Sequence, residues 1–95
     1  MDKKDNPGQW FKLPAPVLFY DNKVLPNGAK LLYAYVLSLS QNKGYCFADN
    51  KHFTKTLGFS DRSLNRYFTK LLDLDFIDVQ IQKNHKNRRI YPLVF

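Results

Sequence analysis

The sequence predicts an α+β domain in which three main helices precede a C-terminal β-hairpin. Apolar residues recur at helical spacing from Ala29 to Ser40, which predicts the first main helix. The tripeptide Gly58-Phe59-Ser60 separates two further helical segments, as a tight turn would. Beyond Ile77, apolar and polar residues alternate, a basic run follows, and a second apolar segment closes the chain. This order is that of a winged helix-turn-helix, in which a β-hairpin wing follows the helices.

The N-terminal part of the chain is expected to contain a flexible tail, an extended segment and one helical turn. Residues 1–9 are polar, so we expect a flexible N-terminal tail there and the winged-helix domain over residues 10–95. Two prolines exclude a long helix in the next segment and leave one helical turn near Val17–Tyr20. We expect Trp10 and Phe11 to pack over the core, with stacking on nucleobases as the alternative.

The first main helix is expected to be mostly buried and to act as the scaffold. Pro26 lies near its start, Asn27 is the expected cap, and Gly44 supplies the positive φ that often ends a helix. The apolar trio Tyr45–Phe47 then predicts a short strand. The apolar face of this helix consists of Leu31, Leu32, Ala34, Tyr35, Val36 and Leu39.

The helix-turn-helix unit is expected to begin at Asn50. Asp49 or Asn50 caps the second helix, which runs to Leu57, and Ser60 caps the third, which runs to about Leu74. Because the apolar residues of the third helix recur at helical spacing, one face is buried and the other stays in solvent. The buried stripe consists of Leu64, Phe68, Leu71 and Leu72. The outer face carries Arg62, Ser63, Asn65, Arg66 and Lys70.

The wing is expected to be a hairpin with a basic tip. Asp75 takes a left-handed position before it, which Asp tolerates at modest cost. Ile77–Gln82 is the first strand and Ile90–Phe95 the return strand. Because proline has no N–H to donate, the return strand is expected to be an edge or to bulge at Pro92. The acid-free run of this wing contains Lys83, Lys86, Arg88 and Arg89.

The composition favours an anionic partner and a reducing environment. The 95-residue chain carries 15 Lys and Arg against 8 acids, for a net charge of +7, which favours polyanions such as nucleic acid. The single cysteine, Cys46, excludes an internal disulfide and is expected to be a buried structural thiol. With no apparent signal peptide and no membrane-length apolar run, we expect a cytoplasmic protein without a membrane partner.

Catalysis has little support in the sequence. There is no Gly-rich phosphate loop, no Ser-His-Asp order and no His-Cys ligand set, and His52 and His85 each stand alone. Asp73, Asp75 and Asp78 line a helix end and a strand rather than a cleft. We therefore expect no enzyme activity, no cofactor and no bound metal.

Part of the chain resembles a known family, and the resemblance lies in residues Ala29–Tyr33, Asn42–Ala48 and Leu57–Arg66. These segments are similar to the winged-helix N-terminal domain of phage and plasmid replication initiators from Gram-positive bacteria. RepA-type plasmid initiators and DnaD-like phage replisome organisers are the groups that they resemble most. The resemblance extends over residues 10–82.

The chain departs from that family at two helix ends. The family usually has Ser or Thr before the proline of the first long helix, where this chain has Leu25. It usually has Gly after the recognition helix, where this chain has Asp75. Neither departure touches the outer face of the third helix. Because initiators normally continue beyond the hairpin, an isolated domain, a fragment and a small stand-alone protein all stay open.

The resemblance places Ser60 at the cap and Arg62, Ser63 and Arg66 on the DNA-facing side of a recognition helix. Base readout is expected from Arg62, Asn65 and Arg66, because Arg pairs with guanine and Asn with adenine in the major groove. A solvated basic face is the plainer alternative. The expected phosphate and wing contacts are Ser63, Lys51, Lys55, Lys70, Lys86, Arg88 and Arg89.

These features predict sequence-specific binding of double-stranded DNA, and the resemblance implies a phage or plasmid replication origin as its place. A transcriptional regulator of the same fold and a winged-helix module that binds proteins remain as alternatives. Replisome proteins and a homodimer on DNA are further partnerships that the sequence leaves open.

Overall fold

The computed structural model describes residues 13–81 and 88–94. Over these residues, the chain forms four helices followed by a two-stranded antiparallel sheet. The winged-helix order predicted from the sequence is therefore confirmed. The predicted tail and the side chains of Trp10 and Phe11 lie outside the described residues. The elements are α1 (Ala15–Leu18), α2 (Asn27–Leu39), α3 (Asn50–Leu57), α4 (Asp61–Asp73), β1 (Ile77–Ile81) and β2 (Arg88–Pro92).

Helix α2 lies at the centre of the core, but its buried face differs from the predicted one. Tyr33 is fully buried, whereas Leu31 and Leu39 are 38% and 40% exposed. The Tyr33 hydroxyl donates to the Val94 carbonyl and accepts from the Val94 amide at 2.9 Å. Because its polar end finds this partner, the tyrosine can be buried without an unsatisfied hydroxyl. Burial also raises the pKa of the Tyr33 hydroxyl.

The segment before α2 is held by a buried lysine. The Lys30 ammonium donates to the carbonyls of Leu18 and Tyr20, at 2.8 and 2.7 Å, and to Oδ1 of Asn22 at 2.6 Å. A buried cation is tolerated when hydrogen bonds replace its hydration, and these three acceptors do so. Helix α1 begins before the predicted turn at Val17–Tyr20, since a proline in its first turn favours that start.

The helix ends confirm most of the local signals. Gly44, Gly58 and Asp75 have positive φ values of 81°, 75° and 59°. The sequence predicts a left-handed residue at Gly44 and at Asp75, and both predictions are confirmed. The predicted cap at Asn27 is wrong, because α2 already includes Asn27 and Pro26 takes the cap position without a side-chain hydrogen bond.

Within the described residues, β2 forms one edge of the two-stranded sheet, as predicted, and a single residue pairs with its outer side. Its register with β1 runs from Ile77 opposite Pro92 to Ile81 opposite Arg88. On its other side, Cys46 forms a single bridge to Ile90 through hydrogen bonds of 2.7 and 2.8 Å. The predicted short strand is thus reduced to one residue. Pro92 occupies the last position of β2, beyond that bridge, where the missing N–H is tolerated.

Helices α2 and α4 approach closely at a glycine. A Cβ atom placed on Gly28 would lie 2.5–2.6 Å from three atoms at the hydroxyl end of Tyr67. The Tyr67 ring also packs edge-on against Phe59 of the turn, with 5.0 Å between the ring centroids. The absence of a side chain at Gly28 therefore sets how near α4 lies to the start of α2.

We predict that Gly28→Ala lowers the free energy of unfolding by about 1–3 kcal/mol, because the added methyl group overlaps the Tyr67 ring. Urea unfolding of the four members of a double-mutant cycle with Tyr67→Ala measures the effect. In the Tyr67→Ala background, Gly28→Ala should cost little, since alanine is a better helix former than glycine. Equal losses in both backgrounds would show that the two residues do not interact.

Candidate nucleic-acid interface

The turn between α3 and α4 is built from local capping signals. Oδ1 of Asp49 accepts from the His52 amide at 2.9 Å, and Oγ of Ser60 accepts from the Ser63 amide at 3.1 Å. Gly58 ends α3 in the left-handed conformation. Each hydrogen bond satisfies an amide that the first turn of a helix leaves free. The predicted caps at Asp49 and Ser60 are therefore confirmed, and they orient α4 relative to α3.

The inner face of α4 packs against α2, α3 and β1. Leu64 and Leu71 are fully buried and Phe68 is 8% exposed, whereas Leu72, also predicted to be buried, is 40% exposed. The Phe68 ring meets the buried Phe53 ring of α3 edge-on, at a centroid distance of 5.5 Å. An apolar stripe narrower than the predicted one thus holds the helix in place.

The outer face of α4 is open. Arg62, Asn65 and Arg66 are exposed, with Ser63 and Lys70 partly buried beside them. Among the described residues, the side chains of Arg62 and Asn65 have no hydrogen-bonding or ionic partner. The Arg66 guanidinium lies 5.5 Å from the Tyr67 ring centroid and is not engaged by an acid within the same residues. No described element covers this row of donors.

Helix α3 carries a second exposed group of cations. Lys51 and Lys55 lie one turn apart, and both side chains are exposed. The neighbouring His52 is held from α2, because its Nε2 atom lies 2.7 Å from the Tyr35 hydroxyl and the two rings stack. This contact fixes the first turn of α3. No sequence pattern indicates this contact, since Tyr35 and His52 are brought together only by the fold.

Arg88 is packed against the helices rather than extended into solvent. Its guanidinium carbon lies 4.9 Å from the Phe68 ring centroid and 5.9 Å from that of Phe53. Nη2 donates to the Ala48 carbonyl at 3.4 Å, while Nε is buried with no partner among the described residues. Burial lowers the pKa of Arg88. The side chain therefore ties β2 to α3 and α4.

Arg89 points to the opposite face of the sheet. Successive residues of a strand alternate between faces, and the Arg89 guanidinium lies 4.7 Å from the Tyr45 ring centroid. The hydrogen bond that Arg89 donates to the Tyr91 hydroxyl raises the pKa of Arg89. The structure thus separates Arg88 and Arg89, which the sequence suggested as one patch. Lys86, the third predicted wing cation, lies outside the described residues.

Metal binding, membrane insertion and thiol chemistry have little support among the described residues. Within residues 13–81 and 88–94, no group of three or more His, Cys, Asp or Glu side chains could hold a metal ion. None of the helices described there is long and apolar enough to cross a membrane. Cys46 is fully buried, as predicted, and burial raises the pKa of its thiol.

The fold and the open face of α4 define a winged helix-turn-helix domain of the kind that binds DNA. The helix-turn-helix domain family matches residues 23–77, which is more than half of the chain. The chain belongs to this family, and membership supports binding to double-stranded DNA. The matched segment contains α2, α3 and α4 and ends at the first residue of β1. No curated protein and no solved structure shows a significant match.

We predict that Arg88→Ala lowers the free energy of unfolding by about 1–2 kcal/mol, because it removes a cation and its packed stem from two aromatic rings. Urea unfolding measures the loss. Arg62→Ala is the matched control, and its effect should stay within about 0.5 kcal/mol, as for an exposed side chain without partners. Equal stabilities of the two variants would contradict a packing role for Arg88.

Proposed function

We propose that this chain binds a specific duplex DNA site through α4, and that the site lies in a phage or plasmid replication origin. The observation that carries the proposal is the uncovered row of Arg62, Asn65 and Arg66 on a helix whose other face is buried. Arg62 and Arg66 are one turn apart, about 6 Å along the helix axis. A helix fits the major groove, where Arg pairs with guanine and Asn with adenine.

Contacts to the DNA backbone are assigned to the residues around this row. In helix-turn-helix docking, the helix before the recognition helix crosses the backbone, which suits Lys51 and Lys55 on α3. Ser63 and Lys70 lie beside the reading face of α4, and Ser60 holds the helix start that approaches the backbone. These contacts orient the protein but carry no sequence information.

For the wing, we assign different roles to the three predicted cations. Arg88 fixes the base of β2 against α3 and α4, with its charge held over Phe68. Lys86 remains the predicted contact to DNA phosphates. Arg89 faces away from the helices, so its charge acts on α4-bound DNA only at long range.

We predict that Arg66→Ala weakens binding to a cognate duplex by about 1–3 kcal/mol and binding to random duplex by much less. Lys55→Ala is the control, because losing a phosphate contact should weaken both duplexes alike and flatten the salt dependence. Fluorescence anisotropy at several salt concentrations measures the six affinities of the wild type and the two variants for the two duplexes. Equal losses on both duplexes with Arg66→Ala would restrict Arg66 to the backbone. Absence of any duplex binding at about 150 mM salt would contradict the proposal itself.

The replication role is supported by the resemblance of residues 10–82 to replication initiators, in which residues 57–66 mark a DNA-binding helix-turn-helix common to initiators and transcription regulators. We predict that mapping of DNA bound in the host cell finds repeated sites clustered within one replication origin. A mutated origin lacking these sites should lose both binding and replication, whereas an origin mutated between the sites should keep both. Binding confined to promoters would instead assign the chain to transcriptional regulation with the same fold.

A further inference from the structure

The outer face of the sheet carries aromatic and cationic side chains together. Cys46 and Ile90 are fully buried, so their neighbours in the chain point away from the core. We call these neighbours, with the adjacent lysine, the aromatic platform. The platform consists of Lys43, Tyr45, Phe47, Arg89 and Tyr91.

The rings of the platform contact one another and are flanked by the two cations. Tyr45 lies 5.5 Å from Tyr91 and 6.3 Å from Phe47, measured between ring centroids. The Arg89 guanidinium lies over Tyr45, and the Lys43 ammonium lies 5.6 Å from the Phe47 ring centroid. These contacts hold the rings in place, and Phe47 stays 55% exposed while Tyr45 and Tyr91 are partly buried.

The aromatic platform is not part of the core, and it does not lie on the side of the sheet that faces α4. Arg88, which contacts Phe68 of α4, and Arg89 of the platform point to opposite faces of β2. A duplex held by α4 would therefore leave the platform free. Phe47 is exposed beside the Tyr45 ring and the Lys43 ammonium, and this combination suits a ligand with flat apolar faces and negative charges.

We propose that the aromatic platform binds single-stranded nucleic acid. Unpaired bases stack on the rings of Phe47 and Tyr45, and Lys43 and Arg89 attract the phosphates between them. Every base has a π-face, so stacking on aromatic side chains combined with cations along the strand gives binding without sequence preference. The inference does not depend on duplex recognition by α4.

The charge of the face agrees with this ligand. The two cations lie at the Phe47 and Tyr45 rings, on the side of the sheet formed by the Cys46 bridge. The acidic residue Asp78 lies opposite Tyr91 in β1, at the far edge of the sheet. A strand that follows Lys43 and Arg89 therefore keeps its phosphates away from the carboxylate.

The test is fluorescence anisotropy with labelled single strands of about 15 nucleotides, oligodeoxyuridylate and oligouridylate, which differ in the sugar alone and match the length of known single-strand sites. The wild-type chain should bind at about 50 mM salt. Phe47→Leu keeps the apolar volume but loses the π-face, so it should weaken binding by about 5- to 150-fold, whereas Phe47→Tyr should retain it. The strand that binds more tightly, with deoxyribose or with ribose, identifies the natural ligand as DNA or RNA.

Two controls separate the platform from other surfaces. Phe19→Ala removes an aromatic ring that is 80% exposed elsewhere, and should leave single-strand binding unchanged. Arg66→Ala should reduce specific duplex binding only, and Phe47→Leu single-strand binding only. The proposal is overturned if neither strand binds, if folded Phe47→Leu binds as tightly as the wild type, or if Phe19→Ala loses as much.

Discussion

The ring of Phe53 fixes the geometry of the whole interface. It is fully buried in α3 and contacts one side chain each from α2, α4 and β2. Its centroid lies 5.9 Å from that of Tyr35 in α2 and 5.5 Å from that of Phe68 in α4, both edge-on. The guanidinium of Arg88 in β2 lies 5.9 Å away. A buried Phe of this kind contributes about 3–5 kcal/mol, and here that contribution sets the angle between α3, α4 and the wing.

Among the described residues, two groups of basic side chains have different physical roles. Lys30 and Arg88 make contacts within the fold. The Lys30 ammonium donates to carbonyl oxygens, and the Arg88 guanidinium packs on an aromatic ring. The exposed cations on α3 and α4 face solvent and remain available to a ligand. The net charge of +7 therefore overstates the charge that the exposed faces of α3 and α4 offer to a ligand. In the proposed function, specificity comes from the few side chains on the open face of α4.

Local signals explain how much of this fold could be predicted. Helix caps and turns depend on a few neighbouring residues, so a sequence pattern can predict them. Examples are the caps at Asp49 and Ser60 and the turn at Gly58. The burial of Arg88 depends on Ala48 and on rings far away in the chain, and the close approach at Gly28 depends on a residue of α4. Such contacts arise only when the elements pack. The DNA contacts themselves stay predictions, because they need a partner.

An amide NMR titration of the chain with a duplex obtained by selection from random sequences tests directly whether α4 contacts DNA. If it does, the largest shifts fall on the first turns of α4 and α3, around Arg62 and Lys51, while the buried residues of α2 change little. Shifts confined to other surfaces, with the first two turns of α4 unaffected, would contradict that contact.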